Sequence, residues 1–138
     1  MRLRKLVAAA AVATTVAGLG LASAGEASAI TADCYGSHMV CLYYNSSGNG
    51  YNAVFMQTGN ISDYANSYFQ SSRNGGTGSG TSVKNNAAAV DSWYSGTFIV
   101  YYNSGYNCAV ACQNIPAWST VDLNSALKNN NASGLFYL

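Results

Sequence analysis

The chain of 138 residues carries six basic and five acidic side chains, and only 8% of it is charged. So few cations cannot form a phosphate-tracking patch, which excludes nucleic acid as a partner; an electrostatic hold on an anionic membrane surface fails on the same ground. A single histidine leaves acid–base chemistry without convergent titratable groups, so no enzyme is expected.

In chain order, the first element is a leader. Arg2, Arg4 and Lys5 precede an apolar, alanine-rich run from Leu6 to Leu21, followed by two small-residue patterns, Ala22-Ser23-Ala24 and Ala27-Ser28-Ala29. That is the layout of a secretory signal peptide, with cleavage expected after Ala29 and after Ala24 as the second choice. The run is short for the ~20 residues of a membrane span. Residues 1–29 are therefore read as the signal and 30–138 as a single secreted, extracellular domain, free of the membrane after cleavage. That domain keeps Arg73, Lys84 and Lys128 against Asp33, Asp63, Asp91 and Asp122, three against four, a net charge of −1.

A domain of about 110 residues buries somewhat over 60% of its unfolded surface, which makes one core of modest size. Four cysteines, Cys34, Cys41, Cys108 and Cys112, are available in an oxidising compartment. They allow three connectivities. The spacing favours two local loops, each worth roughly 2–2.5 kcal/mol of unfolded-chain entropy. Long-range bridges and a zinc site are the competing readings, and Cys34 to Cys41 is wide for a structural zinc pair.

The domain then reads as two rounds of short strands. "MVCLYY" (39–44) and "YNAVFM" (51–56) flank Asn/Ser/Gly turns as hairpin partners do. "NSYFQ" (66–70) is the candidate third strand, and the overlapping "ISDYANSYF" (61–69) has room for one helical turn. "SSRNGGTGSGTS" (71–82) reads as a flexible, tolerated insertion. "AAVDSWY" (88–94) is the fourth strand. The second round follows as "GTFIVYY" (96–102), "YNCAVA" (106–111), "STVDL" (119–123) and "SGLFYL" (133–138).

The two rounds are copies. "CLYYNSSGNGYNAV" (41–54) matches "IVYYNSGYNCAV" (99–110), and "VKNNAAAV" (83–90) matches "LKNNNASG" (127–134). Two matches in the same order mark an internal duplication, with motifs at about 34–95 and 96–138. Two copies of four strands suggest two packed antiparallel sheets, paired about a pseudo-twofold axis that covers their edges.

A duplicated four-stranded motif resembles the βγ-crystallin Greek key, and implies an all-β, βγ-crystallin-like sandwich of two four-stranded Greek-key motifs. The leader, the "YYNS" hairpins, the "KNNAA" segment and the two short cysteine pairs resemble, more specifically, the streptomycete metalloproteinase inhibitor family over essentially the whole mature chain. In that family the first cysteine pair lies near the mature N-terminus and the second follows the first strand of the second motif, as Cys34/Cys41 and Cys108/Cys112 do. The resemblance implies a monomeric protein inhibitor of an extracellular metalloprotease. The target would engage an exposed loop closed by Cys108 and Cys112, namely Cys108-Ala109-Val110-Ala111-Cys112, one residue shorter than the family's. A loop held in the extended shape that a protease cleft binds loses little entropy on binding. The family's thermolysin-like targets favour a bulky apolar residue just after the scissile bond, which Val110 supplies if the bond is Ala109–Val110. The same two cysteines could equally do no more than staple a hairpin.

Three further patterns bear on ligands. βγ-Crystallin domains hold calcium through an Asn/Asp-Asn/Asp-x-x-Ser/Thr-Ser stretch, in which carbonyl and hydroxyl oxygens converge on a hard cation. Asn129, Asn130 and Ser133 match all but its last position, without a carboxylate, so weakly held calcium is the one cofactor the pattern admits. Turn formation by the same asparagines is the simpler reading. A non-inhibitory binding module of this fold, calcium-binding, cell-surface or toxin-like, is the alternative function. Trp93, Trp118 and the eleven tyrosines could stack on sugars, although the "YYN" tyrosines serve packing first. Asn45-Ser46-Ser47, Asn60-Ile61-Ser62 and Asn131-Ala132-Ser133 fit the glycan acceptor pattern and are expected to be unused in a bacterial family.

Overall fold

The computed structural model describes residues 33–138, and the leader expected at 1–29 lies outside the described residues. Seven strands follow one another: β1 (Met39–Tyr43), β2 (Val54–Gln57), β3 (Ala89–Trp93), β4 (Thr97–Asn103), β5 (Asn107–Ile115), β6 (Thr120–Asp122) and β7 (Ser133–Tyr137). Most are built on the β-branched and aromatic residues that suit a pleated, half-buried surface. A 3₁₀ turn at Tyr64–Asn66 realises the helical turn of "ISDYANSYF"; the Asp63 side chain caps it by accepting from the Ala65 N–H. No helix among the described residues is long and apolar enough to cross a membrane.

The strands form two antiparallel sheets, ordered β2-β1-β3-β6 and β5-β4-β7. β6 comes from the second copy but pairs with β3 of the first, Ala89 opposite Asp122. The first copy answers in kind: Ile61 bridges Gly134 on β7, through two N–H···O bonds of 3.0 Å. Each copy thus lends its third segment to the sheet of the other, and the two motifs are interlocked.

The place of that third segment corrects the sequence expectation. "NSYFQ" is not the exchanged strand; it makes only single bridges, Gln70 to Val54 and Tyr68 to Ser82. The cause is Gln57, 1% exposed at the end of β2. Its amide donates to the carbonyls of Gly59 (2.7 Å) and Gly134 (3.1 Å), and its oxygen accepts from the Tyr64 hydroxyl (2.6 Å). A buried amide must satisfy all of these groups, so the chain is drawn onto β7 directly after β2. Gly134 permits the approach, because a β-carbon there would overlap the Tyr64 hydroxyl and the Phe98 ring.

Alternation along the strands builds two cores. Val40, Leu42 and Val90 face Phe98, Val100, Ile115, Leu123 and Leu127 between the sheets. The opposite face of β1 gives a smaller cluster of Cys41, Tyr43, Val54 and Ala89, covered by Cys34, Met39, Tyr51 and Met56. The Gly/Ser/Thr-rich segment at 71–82 is part of the packing, in contrast to the flexible insertion its composition suggests. Thr77 and Thr81 accept from the Ala53 and Phe69 N–H groups, the Ser72 hydroxyl donates to the Asn52 carbonyl, and Gly78 (φ +90°) lies so close to the Tyr44 ring that a β-carbon would collide with it. Gly75 likewise leaves no room for a β-carbon, which would overlap the Asn52 side chain.

The two Lys-Asn-Asn turns meet where the copies join. Asn85 and Asn129 are both left-handed, φ 63° and 61°, a conformation asparagine tolerates better than most residues. The Asn85 N–H donates to the Asn131 carbonyl (2.7 Å), and the Asn129 N–H to the Ala87 carbonyl (2.9 Å). In the repeat, Asn129 is the counterpart of Asn85 and Asn131 of Ala87, so the exchange is reciprocal. Asn131, fully buried, adds a bond of its own on each side: its oxygen accepts from the Ala87 N–H and its amide donates to the Val83 carbonyl, both at 2.9 Å. An asparagine so enclosed cannot carry the glycan its acceptor pattern invites.

Two predictions follow from these contacts. Asn131→Ala strands the Ala87 N–H and the Val83 carbonyl in the interior and should lower unfolding free energy by about 1–3 kcal/mol in urea titration. Asp33 and Asp63 sit below the ordinary aspartate range, chiefly because Arg73 and Lys84 donate to them. A depressed folded-state pKa gives stability that is present above the unfolded value of about 3.9 and is lost as pH falls through the folded value. Both pairs are exposed and screened, so the contribution is small. Thermal unfolding between pH 5 and pH 2 should therefore be measurably less acid-sensitive in the Asp33→Asn, Asp63→Asn double variant.

Candidate functional site: a disulfide-closed bulge on an edge strand

Cys34 is bonded to Cys41 and Cys108 to Cys112, with Cα atoms 5.9 and 5.1 Å apart. The two bridges occupy opposite environments. Cys41 is 0% exposed and belongs to the smaller core. Cys108, Ala109 and Val110 are exposed, Val110 at 63%, whereas Ala111 turns inward against the main core. The first bridge has a packing reason to exist; most of the second ring stands in solvent.

Most of the second ring, Cys108–Ala111, lies within β5 but outside its ladder. β4 and β5 pair regularly from Phe98 opposite Ile115 to Tyr101 opposite Cys112; the next pair is Asn103 opposite Asn107. Only Tyr102 faces the four residues Cys108–Ala111, so they bulge away from the sheet. β5 is the outer strand of its sheet, which leaves the bulge on an unpaired edge. The expected loop is therefore an excursion anchored at both ends in a strand.

Register also revises the alignment of the copies. Val54 faces Tyr43 in the first hairpin and Cys112 faces Tyr101 in the second, an eleven-residue offset in each. Cys112 thus holds the place of Val54, and Ala111 that of Ala53. The sequence match had set Ala109-Val110 against Ala53-Val54. The two connections have the same length but different courses. In the first, a 3₁₀ turn at Ser47–Asn49 is pinned by the Asp122 carboxylate, which accepts from the Ser47 N–H (2.8 Å) and hydroxyl (2.7 Å), and residues 71–82 cover the rest. In the second, the chain reverses early through left-handed Gly105 and Tyr106, φ 73° and 60°. The residues left over project.

The base of the bulge is firmly held. The Asn107 side chain accepts from the Ala109 N–H (2.7 Å) and its carbonyl accepts from the Asn103 amide (3.4 Å). The Gly105 N–H donates to Ser62, and the Tyr106 N–H to the Ser133 hydroxyl. On the far side, Gln113 donates to the Asp122 carbonyl (3.3 Å) and accepts from the Asn124 N–H (2.8 Å). Among the described residues no segment other than the bulge's own base hydrogen-bonds to Cys108–Ala111. Asn107, Gln113 and Tyr102 were not singled out from the sequence. An asparagine directly before the cysteine ring, able to form an Asx turn, was the available signal for the first.

The candidate calcium residues lie at the junction of the copies instead. Ser133 is fully buried, and its hydroxyl donates to the Asn103 carbonyl (2.7 Å) while accepting from Tyr106. The Asn129 N–H is bonded to Ala87 and the Asn130 amide to the Ala126 carbonyl (3.2 Å). These groups shape the turn and, through Ser133, brace the bulge. His38 is exposed, stacked on Phe136 and edge-on to Tyr94, each at 4.8 Å.

With this geometry in place, the architecture compares directly with a solved structure from work on the evolution of the eye lens βγ-crystallin domain fold. The match has a TM-score of 0.57 at 14% identity and covers 76% of this chain and 90% of that one. The protein has the βγ-crystallin-like sandwich of two Greek-key motifs. No protein-family model and no curated protein matches the sequence.

The contrast between the bridges predicts unequal losses. Replacing Cys108 and Cys112 by Ser should cost about 2 kcal/mol, the closure entropy of a short ring, with the far-UV spectrum kept. Replacing Cys34 and Cys41 should cost more, because it also places a hydroxyl at the fully buried position 41. Urea titrations of the two double variants measure the difference.

Proposed function

We propose that the protein is a secreted inhibitor of extracellular metalloproteases, and that the ring Cys108–Cys112 is the segment its target engages. The observation that carries this reading is an exposed, disulfide-closed bulge on an outer strand, braced from below and, among the described residues, with nothing packed over it. The Cα atoms of Cys108 and Cys112 lie 5.1 Å apart across four residues, so β5 offers a cleft a tight projecting ring on its open edge. Ring closure and the contacts of Asn107 and Gln113 hold the backbone in one shape before binding, so little ordering entropy is lost. Val110 is the projecting apolar side chain, suited to the pocket just after the scissile bond. If Ala109–Val110 is cut, the Cys108–Cys112 bridge keeps the new ends together and resealing competes with release. The resemblance of the "YYNS" hairpins and cysteine pairs to the streptomycete metalloproteinase inhibitor family supports the same reading, and two disulfides suit an exported chain. The chain supplies no catalytic group in this scheme.

Titration of a thermolysin-like metalloprotease with the oxidised protein, beside a serine protease, tests the proposal. The metalloprotease alone should lose activity stoichiometrically. Val110→Asp should weaken inhibition roughly thirtyfold or more, as removal of an interface anchor does, while the exposed site keeps unfolding within about 0.5 kcal/mol of the parent. Digestion of the ring without inhibition would sink the proposal and leave a binding module of the same fold.

A further inference from the structure

The chain has two tryptophans, and both line one cleft away from the bulge. Trp93 ends β3 and Trp118 sits in the turn between β5 and β6; with Asp91, Ser92 and Thr120 they line an open cleft of about 280 Å³. Trp93 is 38% and Trp118 62% exposed. Two indoles left in water on a small protein, facing a common space, call for an occupant.

Trp118 is also strained. Its φ is 53°, in the left-handed region, where its N–H donates to the Tyr94 carbonyl (3.3 Å). A bulky side chain there costs on the order of 1–3 kcal/mol, and such residues collect at functional sites. A glycine would hold the turn without that cost, so the indole itself is what the position keeps.

Asp91 gives the cleft its charge. One carboxylate oxygen accepts from the Trp93 indole N–H (3.0 Å), the other from the Thr120 hydroxyl (2.8 Å). Both donors are neutral and both belong to the walls. The ion pairs among the described residues are Arg73–Asp33 and Lys84–Asp63, so Asp91 has no cationic partner there. The carboxylate is oriented but not neutralised.

We propose that this cleft binds an organic cation, a quaternary ammonium or guanidinium group. The indole faces attract it through their quadrupoles, and Asp91 supplies the opposing charge. A sugar fits less well. The Thr120 hydroxyl is committed to Asp91, and the nearby Ser92 hydroxyl accepts from the Tyr94 N–H, which leaves few groups to pair with a ring of hydroxyls. The volume of about 280 Å³ falls just below the ~300–1,000 Å³ range of ligand sites, enough for one headgroup but not for an oligosaccharide.

Because both tryptophans stand in the cleft, their fluorescence reports on it alone. Oxidised protein is titrated with choline, with Nα-acetyl-arginine amide and with N-acetylglucosamine as the neutral comparator. A saturable change with at least one cation, in the millimolar range fitting so few atoms, is expected, with none for the sugar. Saturation by choline assigns a free quaternary ammonium ligand, and saturation by the arginine amide a partner's side chain. Asp91→Asn should weaken binding at least tenfold. Trp118→Gly should abolish it and leave the urea midpoint equal or higher, so this variant decides the matter if Asp91→Asn fails to fold. No saturation by either cation, an undiminished response in Asp91→Asn or Trp118→Gly, or an equal response to the sugar overturns the proposal.

Discussion

The fold depends on one reciprocal exchange, the pair of backbone hydrogen bonds between the left-handed turns at Asn85 and Asn129. Each turn satisfies the other, so neither copy completes its own backbone alone. From that point β3 and β7 leave in register with β1 and β4, and the third segments cross to the opposite sheet. The buried Asn131 side chain makes the junction unsymmetrical, since its counterpart is Ala87. The second copy reaches into the first, closing two polar groups that a perfect repeat would have left unpaired in the interior.

That interlocking explains how a small domain tolerates a projecting edge. The core between the sheets is assembled from both copies, and the crossing of Ile61 and β6 closes off the far side of each sheet. The outer side of β5 stays open. Edges of this kind invite pairing with other chains. Here the edge is interrupted by the bulge, whose three exposed residues, Cys108, Ala109 and Val110, break the regular run of free backbone groups.

Much of this was legible in the sequence, for identifiable reasons. The duplication, the tyrosine-flanked hairpins and the all-β class follow from alternation and from quoted matches, and those are local signals. The left-handed asparagines were also local, since few residues but asparagine and glycine accept that conformation. The exchanged segment was missed because Ile61 earns its place through Gln57 and Gly134, one of them 77 positions from the other. The Gly-rich segment misled because its composition describes freedom, while Gly78 answers the Tyr44 ring and Gly75 the Asn52 side chain. The hairpin register was hidden too: identical letters, Ala-Val, fell at positions that the ladder does not equate.

The equal length of the two hairpin connections has a consequence for how such a surface arises. No insertion separates a connection folded down against the protein from one that stands out. After duplication, substitution alone is enough: an earlier reversal at Gly105 and Tyr106, and two cysteines to close what the reversal releases. One half of the molecule keeps its connection covered while the other leaves Cys108–Val110 exposed. The exposed pair Ala109 and Val110 can vary in letter without altering the count of residues on which the ladder depends.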